Sequence, residues 1–332
     1  MEKKVRKRKA LWMRYVDFRR VRDLLLLIAE NNGKLRAGTL EEIGVKRGIL
    51  VKSDGTLFAH SPRYHYRKVI EHLGMATNVS GFYFISENEK VKKLLSFIQF
   101  KEPLAEIEKK IIADIVINNP DCKKHFFDCF IKKRKYNLTT FRNEANSIKV
   151  ETKGKKGVIL QNLVDSSILR IDTPDLMHAV FWGIRLWSLE LGITDEIFIH
   201  YKDGRIIYPV REKGSLPKAE IMSNMLSFIK FQSGEKWLTI SMQDIIKQIA
   251  LPLRVSIGEI KDTIIELKRR FSQHVDFIPS SSSFIDLKTP FTLQDRVLMK
   301  AYLQDKEGQF ISHIKIHRDL YETLRKRKGD IL

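Results

Sequence analysis

A predicted helix over residues 61–74 carries side chains of the types that proteins use to contact nucleic acids. These side chains are Arg63, Tyr64, Arg67 and Lys68. Spacings of three and four residues place them on one side of a helix. Arg and Lys donate hydrogen bonds to phosphates and to base acceptors, and the Tyr hydroxyl does the same. An ordinary solvated basic face has this pattern too, but the neighbouring basic segments favour DNA contact.

Two further groups of cations have the composition of phosphate-binding segments. The first is a basic arm over residues 1–15, whose candidate DNA-binding residues are Lys3, Lys4, Arg6 and Arg8. The second is a central group that consists of Lys132, Lys133, Arg134, Lys135, Lys153, Lys155 and Lys156. Such segments neutralise phosphates without reading the base sequence. We expect both to add sequence-independent affinity, although the arm could also serve only as a solubilising tail.

Signals for catalysis or metal binding are sparse in this sequence. No GxxxxGK[ST] motif occurs, so an ATPase is not supported. Glu212 and Lys213 come nearest to a nuclease motif, but adjacent residues point to opposite sides of a strand. His313 and His317 lie in a segment that alternates like a strand, and no third ligand is evident. We therefore predict no catalytic residue, no metal site and no cofactor.

The composition indicates a polyanionic partner. The chain of 332 residues has 60 Lys and Arg against 40 Asp and Glu, a formal net charge of +20. No apolar run is long enough to predict a membrane span, and no signal-peptide core follows the basic N-terminus. The two cysteines, Cys122 and Cys129, exclude a disulfide scaffold and are predicted core residues. We expect a cytoplasmic protein that does not bind membranes.

The basic helix itself has clear boundary signals. Ser61 is the predicted N-cap, Pro62 the first helical residue, and Gly74 the stop. The side opposite the cations is apolar and consists of Tyr66, Val69, Ile70 and Leu73. The pattern therefore predicts a helix that is anchored on one side and presents its cations on the other.

The elements around this helix are predicted to position it. A helix over 17–32 precedes it, as does a short helix over 40–47 that Thr39 and Glu42 would open as a capping box. A hairpin over 75–86, with its turn near residues 78–81, follows it. This order resembles the winged helix-turn-helix superfamily in general. The resemblance implies that the basic helix enters a DNA groove and that the hairpin is the wing.

The central part of the chain, 104–215, is predicted to be a helical domain. Its helices include one over 138–148 with Asn137 as cap. A helix over 174–191 is apolar on nearly every side, so we expect it to be buried in a core or against another chain. A hairpin over 197–209 follows, with Asp-Gly at its turn.

The C-terminal part, 216–332, gives a second winged-helix-like pattern over 216–288. Strands at 275–278 and 284–287 are its predicted wing, and a helix over 293–304 and a basic C-terminal helix follow. Ser241 is the predicted N-cap of a helix over 242–249. The helix that begins after Ser256 should present three carboxylates opposite its apolar side, those of Glu259, Asp262 and Glu266. Carboxylates repel phosphates, so this unit is predicted to serve a structural or protein-binding role.

Together these patterns predict a mainly helical α+β protein with tandem winged-helix-like units and small β-hairpins. The predicted domains are the arm at 1–15, a winged domain at 16–103, a central domain at 104–215 and a C-terminal winged domain at 216–332.

The predicted function is non-enzymatic binding of duplex DNA in transcription regulation or replication initiation. The alternative is a DNA-recruiting or scaffold subunit of a mobile-element or phage-defence complex, working with a separate nuclease or ATPase. A homo-oligomer or a protein partner bound by the C-terminal winged unit is also open. An enzyme with an unrecognised site is the third class.

Overall fold

The structure of the chain is a computed structural model, and it has a mainly helical α+β fold with small antiparallel sheets. It describes residues 15–52, 54–97, 102–127, 136–137, 183–199, 204–279, 303–304 and 310–327. The chain divides into two compact units, one of residues 1–133 with 143–192 and one of 134–142 with 193–332. Each unit is described by itself below. The domain boundaries inferred from the sequence stay predictions.

The first unit is built around a three-stranded antiparallel sheet with the strand order β1-β3-β2. Its described elements are α1 (Phe18–Glu30), β1 (Lys34–Arg36), α2 (Ala37–Lys46), α3 (His60–His72), β2 (Ala76–Val79), β3 (Phe82–Ile85), α4 (Glu89–Leu95), α5 (Glu106–Asn118), α6 (Pro120–Cys122) and α7 (Arg185–Glu190). A π-helical turn, Lys123–Phe127, continues α6. Helix, short helix, basic helix and hairpin thus follow one another as predicted.

Helix α1 is the centre of the first unit's core. Asp17 caps it by accepting a hydrogen bond from the backbone N–H of Arg19 at 2.9 Å. Every residue from Val21 to Ile28 is buried. Gly44 lets α2 approach α1, because an added Cβ would lie 3.2 Å from Leu24 Cδ2 and 3.0 Å from Leu50 Cδ1. A larger residue at position 44 would therefore push α2 away from the core.

Two helix starts differ from the predictions. The capping box of Thr39 and Glu42 is wrong, because α2 begins at Ala37 with Arg36 as its N-cap residue. The Ala37 N–H donates to the Gly81 carbonyl at 2.9 Å, so a contact between distant segments sets this start. The Ser61 cap is also wrong. Helix α3 begins at His60, and the Ser61 hydroxyl lies 3.1 Å from His65 Nε2 instead of capping a backbone N–H.

A buried ion cluster joins α1 to the start of α5. The Arg22 side chain is 0% exposed and binds Glu108 of α5 through Nη1, at 3.1 Å. Its Nη2 binds Asp23 at 2.8 Å and also donates to the Glu102 carbonyl at 2.8 Å. Glu108 in turn accepts from the Ala105 N–H at 2.7 Å, within the first turn of α5. The cluster thereby fixes the position of α5 on the core of the first unit.

The C-terminal part of the predicted buried helix also packs on α1. Within the described residues this helix is α7, and Trp187 is fully buried with its ring 5.6 Å from that of Phe18. Glu190 Oε1 accepts a hydrogen bond from the Phe18 N–H at 2.9 Å. Burial of this carboxyl raises its pKa to about 7. The predicted stop at Gly192 is confirmed, since its φ is 69°.

The second unit contains two antiparallel sheets, one in the order β4-β6-β5 and one in the order β7-β10-β8, with β9 pairing to β10. Its described elements are β4 (Tyr136–Asn137), β5 (Thr194–Ile199), β6 (Gly204–Pro209), α8 (Lys218–Ser227), β7 (Trp237–Ser241), α9 (Met242–Leu253), α10 (Ile257–Arg270), β8 (Val275–Pro279), β9 (Leu303–Gln304), β10 (Phe310–His317) and α11 (Arg318–Arg327). The predicted hairpin over 197–209 is confirmed as β5 and β6.

Helix boundaries in the second unit follow the sequence more closely. Ser241 and Ser256 are the N-cap residues of α9 and α10, as predicted, and each accepts from a backbone N–H. The apolar stripe of α10 is buried, and its members are Ile257, Ile260, Ile264 and Leu267. Asp195 of β5 accepts from the Ile257 N–H at 2.9 Å and so holds the start of α10.

Two strand assignments in this unit correct the predictions, and a third prediction stays open. Asn137 is not a helix cap but lies in β4, paired with β6. Leu303 and Gln304 are not helical, because they pair with Ile311 and Phe310 of β10. Strand β8 pairs with β10, and its predicted pairing with residues 284–287 stays a prediction because those residues lie outside the described ones.

The two units share one order of elements. In each, a helix, a strand, two helices and two further strands follow one another, apart from the short β9 inserted in the second unit. In each, the last long strand lies between the other two, as β1-β3-β2 and β7-β10-β8. The third helix of this series, which comes just before the last strands, is α3 in the first unit and α10 in the second. Among the described residues, no helix is long and apolar enough to cross a bilayer.

Candidate nucleic-acid interface

Helix α3 is anchored by its apolar side, as the sequence predicted. Tyr66, Val69, Ile70 and Leu73 are all buried. Their burial leaves the opposite side of α3, with its basic residues, partly exposed to solvent. The cations of α3 thus lie on the side away from its buried residues, and the chemistry of this face depends on how each cation is paired.

Two of the predicted DNA-binding residues share one carboxylate. Glu41 of α2 lies 2.6 Å from Arg67 Nη2 and 3.5 Å from Arg63 Nη1. The side chains of Arg67 and Glu41 are only 15% and 13% exposed. The Nε atoms of both arginines are buried and have no hydrogen-bond partner among the residues that the structure describes. The two guanidinium groups are thus held side by side, with unused donors and one net positive charge.

Tyr64 and Lys68 complete the basic face. The Tyr64 ring is 38% exposed, and both the Arg67 Cζ and the Lys68 Nζ lie 5.8 Å from its centre. Lys68 also pairs with Glu71 at 3.0 Å. Burial opposes its charge, but the hydrogen bond and charge of Glu71 outweigh that effect and raise the Lys68 pKa. Lys68 therefore remains a cation beside an exposed aromatic ring.

The sheet adds cations that the sequence analysis missed. Lys34 and Arg36 are exposed on β1, on either side of the buried Leu35. The Lys34 Nζ lies 4.8 Å from the ring of Phe82 and 5.2 Å from that of Phe84, both on β3. The alternation of cation, Leu and cation after Gly33 was the available signal, but it is too short to identify a strand from sequence alone.

The hairpin of β2 and β3 ends in a tight turn. Ser80 and Gly81, its two central residues, have φ values of 50° and 84°. This combination is typical of a type I′ turn, which favours Gly where φ is positive. The turn sequence from Asn78 to Gly81 contains no Lys or Arg. Any nucleic-acid contact of this hairpin tip would therefore use backbone N–H groups and the polar side chains of Asn78 and Ser80.

The remaining predicted DNA-binding residues lie outside the described residues. They are Lys3, Lys4, Arg6, Arg8, Lys132, Lys133, Arg134, Lys135, Lys153, Lys155 and Lys156. The structure therefore leaves their proposed contact with phosphates as a prediction. It brings together Arg63, Tyr64, Arg67 and Lys68 on α3.

The third helix of the second unit has a different surface. Glu266 pairs with both Arg269 and Arg270, at 2.8 Å and 2.6 Å, and these bonds lower its pKa to about 2. Asp262 and Ile265 are exposed between the ends of α10. Glu259, predicted to face outwards, instead accepts from the Gly214 N–H at 2.7 Å and from the Ser256 hydroxyl. This helix thus exposes Asp262 and the apolar Ile265, and near its end two arginines that share the carboxylate of Glu266.

The residues considered for catalysis or reactivity are Glu212, Lys213 and the two cysteines. Glu212 and Lys213 lie in a turn after β6, so they do not form the pair of strands that the nuclease arrangement needs. Cys122 is fully buried, as predicted, and burial raises the pKa of its thiol. Cys129 lies outside the described residues.

Comparison with family models, with curated proteins and with solved structures finds no match to this chain.

The shared carboxylate gives a first testable prediction. Glu41→Gln removes the negative charge between Arg63 and Arg67 but keeps the shape of the side chain. We expect it to raise affinity for duplex DNA by about tenfold and to steepen the salt dependence, because two guanidinium groups become available to phosphates. Fluorescence anisotropy with a labelled duplex at several salt concentrations measures both quantities.

Glu42→Gln is the matched control for this variant. Glu42 is the next residue on α2, is exposed, and undergoes the same change of charge. If both variants gain affinity equally, total charge explains the effect and Glu41 does not restrain the arginines.

Proposed function

We propose that the protein is a non-enzymatic DNA-binding protein that contacts duplex DNA through a winged helix in its first unit and through its basic arm. The observation that carries the proposal is the cluster of Arg63, Tyr64, Arg67 and Lys68 on the side of α3 away from its core, where Tyr64 is exposed and the three cations are half-buried. The order α1-β1-α2-α3-β2-β3 with the sheet β1-β3-β2 is that of winged-helix domains, in which the third helix reads DNA. Transcription regulation and replication initiation both use such binding.

The proposed contacts divide by the chemistry of each group. Arg63 and Arg67 offer the solvent-facing parts of their guanidinium groups to guanine acceptors or to phosphates in the major groove, and Arg63, 27% exposed against 15% for Arg67, is the more accessible of the two. Tyr64 packs against sugar or base edges, and Lys68 neutralises a phosphate. Lys34 and Arg36 on β1 follow the flanking backbone. The arm and the central basic group add sequence-independent affinity.

The overall charge favours a nucleic acid as the partner, because an acidic protein surface of limited size would neutralise only part of it. The formal net charge is +20, and the described basic face accounts for only a small part of it. Many phosphates are needed to neutralise so large an excess, and a nucleic acid supplies them in a regular array.

The alternative function is a DNA-recruiting or scaffold subunit of a larger DNA-processing complex. The specific observation in its favour is the surface of α10, where Ile265 is 46% exposed and Glu266 holds both neighbouring arginines. An exposed apolar side chain beside mutually paired charges suits a protein partner or a second copy of the chain. In that case the second unit, proposed as a further winged helix, binds a nuclease or an ATPase while the first unit holds the DNA.

A salt series on the unmodified protein tests the proposal. We expect tightest binding to duplex DNA, compared with single-stranded DNA and RNA of the same sequence, in fluorescence anisotropy. The logarithm of the affinity should fall linearly with the logarithm of salt concentration, with about 0.9 released ions per phosphate contacted. Binding that ignores salt, or that prefers single strands, would contradict duplex contact by α3.

A further inference from the structure

One cluster of metal-binding side chains lies outside the proposed DNA interface. His274, His317 and Asp319 each offer one ligand atom, and these three atoms lie within 4.8 Å of one another. His317 is the last residue of β10, and Asp319 lies in the first turn of α11. The His317 N–H donates to the His274 carbonyl at 2.8 Å, so the two backbones are adjacent.

The register of the sheet puts both imidazoles on its solvent side. Ile316 pairs with Val275, and both are buried in the core, so the next pair, His317 and His274, faces the other way. The two rings lie 5.6 Å apart at 68°. Trp237 of β7 packs on the other side of His317, with ring centres 4.8 Å apart. Sheet pairing therefore fixes where the two imidazoles lie.

The third group approaches because α11 begins directly after β10. Asp319 Oδ2 lies 3.5 Å from His317 Nδ1, and the carboxylate side chain is 75% exposed. The neighbouring cation turns away, since Arg318 donates to the Gln232 carbonyl and its Cζ lies 5.3 Å from the Phe231 ring. The Arg318 side chain therefore does not occupy the space between the three ligands.

We propose that His274, His317 and Asp319 bind a divalent zinc ion. Two imidazoles and one carboxylate suit zinc, whereas magnesium and calcium prefer oxygen ligands alone and copper(I) prefers sulfur. Zinc–ligand bonds of about 2.0–2.1 Å in a tetrahedral site place the ligand atoms roughly 3.3 Å apart. Closing from 4.8 Å to that separation takes side-chain rotation, which the exposed Asp319 permits.

The bound ion cross-links the sheet to the C-terminal helix. Its ligands come from the segment before β8, from the end of β10 and from the start of α11. With three protein ligands, water fills the remaining position. This site revises the prediction that the chain has no metal site. The sequence pattern around His317 shows no third ligand, because the partners are His274, on the neighbouring segment, and Asp319, on the next helix.

Isothermal titration of the purified full chain with zinc chloride tests the proposal. We expect one site that the double variant His274→Ala and His317→Ala loses, or weakens by more than tenfold. Zinc should raise the midpoint of thermal unfolding of the wild type by several degrees, because it binds only the folded site, and should not raise that of the variant. Magnesium should change neither protein.

Two single variants separate the site from adventitious binding and from misfolding. His313→Ala is the control, since His313 is also on β10 but bonds to the Ser312 hydroxyl at 2.9 Å and is not in the cluster. It should bind zinc as the wild type does. Asp319→Ala changes an exposed side chain, keeps the fold, and should weaken zinc binding by about tenfold. Equal zinc affinity in the wild type, the double variant and Asp319→Ala overturns the proposal.

Discussion

Replacing Arg67 and Lys68 together with Ala should weaken duplex binding by about tenfold or more while leaving the thermal unfolding midpoint close to that of the wild type. Each lost charge-assisted contact is worth roughly 1–3 kcal/mol. Three cations face two carboxylates on this surface, counting Glu41 and Glu71, and the double variant leaves one cation against the same two. Local attraction for phosphates thus becomes repulsion. Fluorescence anisotropy measures the affinity and circular dichroism the unfolding midpoint.

The second unit offers a control with the same loss of charge. Arg269 and Arg270 lie on α10, the corresponding helix, and both pair with one carboxylate, that of Glu266. Arg269→Ala with Arg270→Ala removes two positive charges from the chain but none from α3. We expect at most a small change in affinity from this control. If the two double variants weaken binding equally, the effect is one of net charge and α3 is not a specific contact.

Arg22→Ala should lower the free energy of unfolding by about 3–5 kcal/mol, the largest stability effect we expect from a single charged residue. Arg22 and Glu108 are 0% and 1% exposed, and Asp23 is 2% exposed. Without the guanidinium, two carboxylates are buried with no cation between them and the Glu102 carbonyl loses a donor. Urea unfolding followed by circular dichroism gives the free-energy difference.

An exposed ion pair on α5 provides the comparison for this variant. Lys109 and Glu106 pair at 2.8 Å with side chains 33% and 61% exposed. Lys109→Ala should change the stability by less than about 1 kcal/mol, because solvent screens such pairs. If Lys109→Ala and Arg22→Ala lower the free energy of unfolding by similar amounts, burial is not what makes the Arg22 cluster stabilising.

The sequence predicted those elements whose signals are local. Asp17, Ser241 and Ser256 begin their helices as expected, and each accepts a hydrogen bond from a backbone N–H nearby. Helix starts that depend on distant contacts were missed. Helix α2 begins where Ala37 bonds to Gly81, a residue of the hairpin turn, so the capping signal in its own sequence is overridden.

The candidate site shows the same division between local and distant information. Helical spacing was sufficient to place Tyr64, Arg67 and Lys68 on one face of α3. The spacing could not reveal that Glu41 of another helix lies between two of the cations. This pairing depends on how α2 packs against α3, and the spacing of residues along the chain does not predict that packing.

The long-range hydrogen bonds of α1 also determine which fragments of the chain would stay folded. Arg22 bonds to Glu108, 86 positions away, and Phe18 bonds to Glu190, 172 positions away. A fragment cut at residue 103 would lose Glu108, one of the two carboxylates that pair with Arg22, together with the Trp187 ring that covers Phe18. The smallest expression product that keeps the first unit whole must therefore extend through α7, well past the last strand of its sheet.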